Sequence, residues 1–232
     1  MGHIRICDIT LNNGLHKFEP EAEAAIITSL KNSSIYQHGQ DNVILPAEAV
    51  RVLEIDEIEF YSGKGKKVIF EPRDLSRRTD FDVLKLFEEI RPFGLFGFTI
   101  ADIDGTIRSN DVERLALCAA KHLGDETAIG FRPNDGSGRA FMLASTFINI
   151  TNYLRDYYIE TSLFGIGELG GYLPTELLAE YFNEFEREDV FEVEHLLYTI
   201  REYIEPLKGK LQWGISPQTF TFSRNRTVCG VD

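Results

Sequence analysis

Apolar strands and amphipathic helices alternate at a nearly constant interval, and this alternation most limits how the chain can fold. Short apolar stretches begin near residues 68, 94, 127 and 157, so successive starts are 26, 33 and 30 residues apart. Segments with the helical spacing of apolar residues lie between them. This interval suits strand–helix units in which the helix returns the chain so that the next strand runs parallel. A parallel sheet built from such units is either doubly wound or a (β/α) barrel.

Local signals give approximate bounds to these elements. Pro20 stands where a helix is expected to begin, and Asn110 with Glu113 forms a capping-box pattern. The stretch 94–101 is almost continuously apolar, which is typical of a strand buried on both faces. No GxGxxG motif follows the first strand, which disfavours a dinucleotide-binding sheet. We predict strands at 4–9, 68–70, 94–101, 128–131 and 157–164, and helices at 20–31, 81–91, 111–123, 139–152 and 175–187.

Residues 32–67 interrupt the alternation. They hold a polar patch, a helix candidate at 46–54, and the stretch EIEFYSGKGKKVIFEP, which could form a hairpin with its turn at 63–65. A complete eight-unit barrel needs about 250 residues, and part of this chain forms an acidic helical stretch and a tail. We therefore predict one α/β domain over residues 1–232. It is an incomplete (β/α) TIM-type parallel barrel that lacks one or more units between residues 32 and 67 and has a C-terminal helical extension at about 176–232.

Composition limits the partners that this chain is expected to have. Its 37 acidic and 24 basic residues give a net charge of −13, which repels nucleic-acid phosphates but still allows a small anionic ligand in a locally basic pocket. No apolar run is long enough for a membrane span or a signal peptide. The three cysteines form no CxxC pair, and an odd count fits a reducing compartment. We expect a cytoplasmic protein with no nucleic-acid or membrane partner.

Polar residues follow each predicted strand, at the end where parallel α/β folds bind their ligands. The set is mixed in charge and rich in asparagine, and it contains one histidine and no cysteine. Its members are Asn12, Asn13 and His16 after the first strand, Glu71, Arg73 and Asp74 after the next, Asp102 and Asp104 after the strand at 94–101, Arg132, Asn134 and Asp135 after the strand at 128–131, and Gly165, Gly167 and Glu168 after the last.

Several of these segments resemble motifs of the HMG-CoA lyase-like, or DRE-TIM metallolyase, superfamily. DITLNNGLH (8–16) resembles its first-strand signature D-x-T-L-R-D-G, which in the aldolase branch is often followed by a histidine. IGFRPNDGSGRA (129–140) is similar to I-G-x-H-x-H-N-[ND]-x-G-x-A. Three further segments, 96–105, 165–183 and 210–220, are similar to motifs that follow in the same order: a strand ending in D-x-x-G, G-x-G-x-x-x-G-N-x-x-T-E-L, and K-W-G-Y-x-x-P-Y-F.

The resemblance covers the first twenty residues and roughly 68–220, and it is closest to 4-hydroxy-2-oxovalerate aldolase-like members. It implies a TIM-type barrel and aldol or Claisen-type carbon–carbon chemistry on small oxoacids. Residues 32–67 are much shorter than the three strand–helix units that the family has there. The resemblance therefore agrees with an incomplete barrel.

The departures from the family pattern fall where the family holds a divalent metal. The resemblance implies an arginine that stabilises an enolate oxygen and an aspartate and two histidines that bind the metal. In this chain Asn12 replaces that arginine, Asn13 the aspartate, and Arg132 and Asn134 the histidines, while Tyr172 replaces an asparagine that some members add. Amides and a guanidinium do not substitute for carboxylate and imidazole ligands. We therefore expect no metal site and no cofactor.

One hypothesis is a divergent, metal-independent lyase that acts on or binds a small 2-oxoacid. His16 would move protons and Asn12 would donate to the developing enolate oxygen. Arg132 would hold the substrate carboxylate through two parallel hydrogen bonds. The predicted catalytic residues are thus His16 and Asn12, and the predicted substrate-binding residues are Asn13, Arg132, Asn134, Asp102 and Glu71.

Each of these residues also has a structural alternative. His16 could be a solvated loop histidine, and Asp102 could cap a turn. Arg132 and Glu71 could belong to local ion pairs. The partners considered are Asp102, Asp104 or Asp135 for Arg132, and Arg73 for Glu71. The glycines of GIGELGG could cradle a phosphate or permit close packing.

The second hypothesis is a catalytically inactive paralogue that binds a ligand or a partner subunit, through the opening that the missing units leave. The acidic helical stretch 179–206 is then of interest. It could be a plain solvent face, or its apolar residues could dock on a second subunit, in a homodimer or with another chain. Those residues are Phe182, Phe185, Phe191, Leu196 and Leu197.

Overall fold

The computed structural model describes residues 6–12, 17–33, 35, 49–152, 154–186 and 190–224, with the backbone alone at 12 and 186. Six strands form one sheet in the order β1-β6-β5-β4-β3-β2, and neighbouring strands pair in parallel. The strands are β1 (Ile6–Asp8), β2 (Ala49–Val52), β3 (Lys67–Phe70), β4 (Gly97–Ala101), β5 (Ala128–Arg132) and β6 (Tyr157–Thr161).

Helices connect these strands, as the alternation of periods predicts. Thr79 caps the third helix, because its hydroxyl accepts a hydrogen bond from the Asp82 amide at 3.2 Å. The described helices are α1 (Pro20–Asn32), α2 (Ile55–Ser62), α3 (Asp80–Ile90), α4 (Ser109–His122), α5 (Ala140–Thr151), α6 (Thr175–Glu186), α7 (Val193–Thr199) and α8 (Pro217–Arg224). Within the described ranges, no helix combines the length and the apolar content that crossing a bilayer requires.

Two details of the predicted helices are wrong. The capping contact of α4 is made by Asp111, which accepts the Arg108 amide at 2.9 Å, and not by the Asn110–Glu113 pair. The continuous helix predicted at 179–206 is divided. α6 ends at Glu186 and α7 begins at Val193, and α7 passes directly into a π-helical turn, Ile200–Ile204.

A strand–helix unit occupies residues 49–62, where we predicted a helix and then a hairpin. Ala49–Val52 pairs in parallel with Lys67–Phe70, so this stretch is the strand β2. The helix α2 follows, and the Glu57 carboxylate accepts the amides of Leu53 and Glu54, both at 3.1 Å, at its start. The glycines at 63–65 thus end a helix. The prediction failed because local spacing does not show that β2 has a neighbouring strand to pair with.

The sheet is curled into a half-barrel. Four inter-strand steps separate β2 from β6, which in a flat sheet would be about 19 Å. However, Arg51 of β2 donates to Glu160 of β6 at 2.6 Å across the concave face. The predicted incomplete TIM-type barrel is therefore confirmed, with β1 and β2 at the two ends of the described strand order.

The two faces of the sheet differ in character. The outer face packs apolar side chains such as Phe98, Phe131 and Ile159 against the helices in one large core. On the concave face, the ring of Tyr158 lies over Gly130 and Gly97, and a Cβ on Gly130 would overlap ring atoms of Tyr158. The glycines thus make room for one large side chain, which fills part of the interior of the half-barrel.

Candidate functional site

Four charged side chains meet on the concave face near the carboxyl ends of the strands. Arg51 donates two hydrogen bonds to Glu160, at 2.6 and 3.0 Å, and also pairs with Glu71. Arg132 pairs with Glu71 and lies 3.5 Å from Glu160, between Nη1 and Oε2. Each arginine therefore contacts both glutamates. We call these four residues the Arg–Glu ring, and its formal charges sum to zero.

Burial makes this pairing necessary. The side chain of Glu160 is 0% exposed, that of Arg132 is 15% exposed and that of Arg51 is 26% exposed. Burial alone would raise the pKa of Glu160, but Arg51 and Arg132 outweigh this and hold the pKa below its usual range. Burial lowers the pKa of Arg51, whereas the two glutamates raise it, with a net rise. Since buried ions are costly unless they are paired, the ring persists because each charge has partners.

Two hydroxyl groups lie beneath the ring. The oxygens of Thr99 and Tyr158 are 2.6 Å apart, and the Thr99 hydroxyl lies 3.5 Å from the Glu160 carboxylate. Burial and the charge of Glu160 raise the pKa of Tyr158, so its phenol stays protonated. Burial likewise raises the pKa of Cys7, which keeps that thiol protonated and unreactive. The hydroxyls of Thr99 and Tyr158 thus extend the hydrogen bonding from Glu160 into the interior, and they and the Cys7 thiol add no charge there.

The local ion pairs predicted for Arg132 and Glu71 are wrong. Their partners come from other strands, because the carboxyl ends of β2, β3, β5 and β6 converge across the curled sheet. Arg132 and Glu71 form an ion pair with each other. Tyr172 lies beside them, with its ring centre 5.9 Å from the Arg132 guanidinium carbon. The structure thus brings these three predicted residues together.

Asp102 holds the loop that follows β4. One carboxylate oxygen accepts the Ile107 amide at 3.1 Å, which is the turn-capping contact of our structural alternative. The other oxygen, Oδ2, is buried and finds no hydrogen-bond partner among the described residues. Burial raises the pKa of Asp102 to about 6.

Both the nitrogen and the oxygen of the Asn134 side-chain amide form hydrogen bonds with backbone groups. It donates to the carbonyls of Leu169 and Ile103 at 3.2 and 3.4 Å, and its oxygen accepts the Gly136 amide at 2.8 Å. It also forms an isolated antiparallel bridge with Tyr172. Asn134 therefore ties together the loops after β4, β5 and β6, and these contacts leave little of its amide for a substrate.

The first-strand loop lies largely outside the described residues. Asn13 and His16 fall outside them, and only the backbone of Asn12 is described, in the short helical turn Thr10–Asn12. Their catalytic and binding roles stay predictions.

The positions that the family resemblance implies for metal ligands do not fit a divalent cation. Arg132 is itself a cation and is paired with two glutamates. The Asn134 oxygen is occupied by the Gly136 amide. Across the described ranges, no group of three or more His, Cys, Asp or Glu side chains is placed to hold a metal ion.

A second buried polar cluster fixes the start of α6. Asp8 accepts the Thr10 amide at 2.8 Å and the hydroxyl of Thr175. Glu176 accepts the Phe164 amide at 3.1 Å. Burial raises the pKa of Asp8 to about 6 and that of Glu176 to about 7. This cluster joins β1 to the helix that follows β6, and so it holds one end of the half-barrel together.

Close packing accounts for the glycines that follow β6. A Cβ on Gly170 would overlap Gly136, and one on Gly171 would overlap the Gly165 carbonyl. The C-terminal segment covers this region, since Trp213 donates to the Phe164 carbonyl at 2.9 Å and Gly214 donates to the Gly170 carbonyl at 3.1 Å. These contacts favour the packing alternative over a phosphate cradle.

Sequence reasoning missed half of the Arg–Glu ring. Arg51 lies in the stretch predicted as a helix, and Glu160 lies inside the apolar strand YYIET. A charged residue within an apolar strand is a usable signal, because glutamate is almost never fully buried without a partner. Arg51 gave no comparable signal, since its role depends on the curl of the sheet.

Comparison with known proteins supports the fold. No family model matches the sequence, and no curated protein matches it. Among solved structures, the HMG-CoA lyase from Brucella melitensis is similar, with a TM-score of 0.62 and 14% identity, over 86% of this chain and 96% of that one. The N-terminal domain of a protein assigned as an aldolase from Bacteroides vulgatus also has a TM-score of 0.62, with 21% identity, over 77% and 60%.

The carboxyl transferase domain of Rhizobium etli pyruvate carboxylase, solved with pyruvate, has a TM-score of 0.57 and 14% identity, over 75% of this chain and 32% of that one. The chain thus spans 60% of the aldolase-assigned domain and about a third of the carboxyl transferase structure. Identities this low establish the fold alone. The chain has a half-barrel form of the TIM-type fold of these structures, so the predicted resemblance is confirmed for the fold.

Proposed function

We propose that this chain is a catalytically inactive relative of the HMG-CoA lyase-like enzymes and works as an interaction protein. The Arg–Glu ring is the observation that carries the proposal. Both of its guanidinium groups are already paired with glutamates of the protein. A substrate carboxylate held through two parallel hydrogen bonds would compete with Glu71 and Glu160 for the same guanidinium groups and would weaken the pairing of a buried glutamate. Breaking such a pair is strongly unfavourable.

The chemistry of the site supports the same proposal. Aldol and Claisen-type reactions need a group that stabilises the negative charge developing on an enolate oxygen. In this chain a neutral amide, Asn12, stands where the resemblance implies an arginine. The positive charge of Arg132 is balanced by Glu71 and Glu160. The site therefore offers little net positive potential to an enolate.

A second candidate is a divergent, metal-independent enzyme that acts on a small 2-oxoacid. It is favoured by the partial exposure of Arg132 and Arg51, whose outer edges can reach a ligand without leaving the ring. Tyr172 lies beside Arg132 and would form one wall. In this candidate His16 is the proton-transfer group.

Enolisation of pyruvate separates the two candidates. The purified protein is incubated with pyruvate in D2O, with and without Mn²⁺, and loss of the methyl protons is followed by NMR. We expect exchange at the rate of buffer alone, and no heat of pyruvate binding by calorimetry. Exchange that exceeds the buffer rate and is lost in Arg132→Lys would overturn the proposal in favour of the enzyme, provided that it is kept in the control variant Arg114→Lys, which changes a half-buried arginine of α4 outside the ring. Circular dichroism confirms that both variants are folded.

A further inference from the structure

The outer surface of α6 carries an exposed apolar stripe. Leu177, Tyr181 and Phe185 stand four residues apart, which places them along one side of the helix. Leu177 is 46% exposed and Phe185 is 65% exposed. The rings of Tyr181 and Phe185 stack with centres 6.1 Å apart, and Phe141 of α5 contacts Tyr181 edge-on at 5.2 Å. We call Leu177, Tyr181 and Phe185 the α6 stripe.

Leu177 and Phe185 are additional to the face with which α6 joins the core, and the half-buried Tyr181 between them packs against the edge of that core. Leu178, Ala179 and Phe182 are buried and already pack against the rest of the half-barrel. A helix at the surface of a single domain needs only one apolar face. The predicted docking set is thus divided. Phe185 and Leu197 are exposed, whereas the other three residues belong to the core of the chain: Phe182, Phe191 and Leu196.

The border of the α6 stripe is acidic. Glu180 and Glu184 are exposed, and their spacing places them together along the side of the stripe away from α5. The sequence of α6, TELLAEYFNEFE, contains no lysine or arginine. A second copy of this chain would place the same glutamates against these, and each copy has a net charge of −13. Charge complementarity therefore favours a cationic partner over self-association.

We propose that the α6 stripe is the docking site for an amphipathic helix of a partner protein whose apolar residues are bordered by lysine or arginine. Recognition of this kind uses apolar anchors about one helical turn apart, and the stripe offers anchors at that spacing. The glutamates would then pair with the basic border of the partner. This inference rests on the proposed function, since it names the partner chemistry of an interaction protein.

A synthetic peptide tests the docking site directly. The probe is a fluorescein-labelled amphipathic helix with leucines at successive turns and flanking lysines, and its matched control has glutamate in place of each lysine. Binding to the full chain is measured by fluorescence anisotropy at physiological salt. We expect the lysine peptide to bind and the glutamate peptide not to bind. Equal binding of the two peptides would overturn the proposal.

Variants distinguish binding of the peptide at the α6 stripe from nonspecific attraction of a cationic peptide to an acidic protein. Phe185→Ser should weaken binding of the lysine peptide about tenfold, because it removes a large apolar contact. Phe81→Ser on α3 is the matched control, since Phe81 is 75% exposed. Glu184→Lys should weaken binding more than Glu88→Lys, which changes the net charge equally on a distant helix. Equal effects within either pair would overturn the proposal.

Two further outcomes have a defined meaning. A homodimer that Phe185→Ser converts to monomer, seen by size-exclusion chromatography with light scattering, would assign the α6 stripe to a second copy and overturn the proposal. Proton exchange of pyruvate is measured on the same wild-type sample as peptide binding. Exchange above the buffer rate would overturn the proposed function, whereas equal binding of the two peptides without such exchange would overturn the docking site alone.

Discussion

Replacing Glu160 by glutamine tests how much the Arg–Glu ring contributes to the stability of the half-barrel. Glutamine keeps the size of the side chain but removes the charge, so Arg51 and Arg132 are left with Glu71 alone. Breaking a buried ion pair costs about 3–5 kcal/mol. Because Arg51 is partly exposed and can be rehydrated, we expect a loss near the lower end, about 3 kcal/mol. This is a large part of the roughly 5–15 kcal/mol that stabilises a typical domain.

Urea unfolding measures this loss. The fluorescence of Trp213, the single tryptophan of the chain, and circular dichroism follow the transition. We expect Glu160→Gln to lower the midpoint without changing the dependence on urea concentration. The matched control is Glu192→Gln, whose partner His195 is largely exposed, and which should change the free energy of unfolding by less than about 0.5 kcal/mol.

The pH dependence of the free energy of unfolding tests the same ion pairing. The pKa of Glu160 is lowered in the folded chain. Its stabilising contribution is therefore present above the pKa of the unfolded carboxyl group and is lost as the pH falls through the folded value. The wild type should lose its advantage over Glu160→Gln in acid. A loss at neutral pH below about 1 kcal/mol would refute the view that Arg51 and Arg132 depend on Glu160 for their pairing.

Three further changes have defined outcomes. Gly130→Ala places a Cβ against the buried ring of Tyr158. It should lower the free energy of unfolding, measured in urea, by about 3 kcal/mol. A loss under about 0.5 kcal/mol would contradict the packing described. Glu176 has a pKa raised by burial from 4.5 to about 7, so its ionisation destabilises the fold as pH rises through 7. Glu176→Gln should therefore be more stable than wild type at pH 8, by up to about 3 kcal/mol, and equally stable near pH 4.5. Urea unfolding at both pH values measures this. The same stability difference between variant and wild type at both pH values would contradict the prediction. Asn134→Ala should cost about 2 kcal/mol by leaving buried backbone groups unpaired, measured by thermal unfolding, and an unchanged Tm would argue against its role in tying the loops.

The repeated units of the fold are predictable from sequence because their signals are local. The helix predicted at 139–152 is observed at Ala140–Thr151, and the strand predicted at 94–101 contains Gly97–Ala101. The spacing of apolar residues within one short segment shows which face of that segment is buried, and it requires no knowledge of distant parts of the chain. The unit at 49–62 was missed because β2 is short and at the end of the strand order, so pairing with β3 decides its conformation more than its own composition.

The candidate site is only half predictable for a different reason. Arg132 and Glu71 follow strands, and topology places strand ends together, so both were identified. Arg51 and Glu160 lie on the strands next to Glu71 and Arg132, but the contact between Arg51 and Glu160 spans four inter-strand steps and forms only because the sheet curls. Curvature is a property of the whole sheet, and no short window of sequence encodes it. Glu160, within the apolar strand YYIET, was the local sequence signal of the Arg–Glu ring.

The neutrality of the Arg–Glu ring has a consequence for how other molecules approach this protein. Two positive and two negative charges cancel at the centre, so the entire surplus of thirteen negative charges resides elsewhere on the chain. The long-range electrostatic potential therefore originates outside the Arg–Glu ring, and it attracts cationic molecules to other parts of the protein rather than to the ring. Diffusional encounter with such molecules is directed away from the point where the four charged side chains meet.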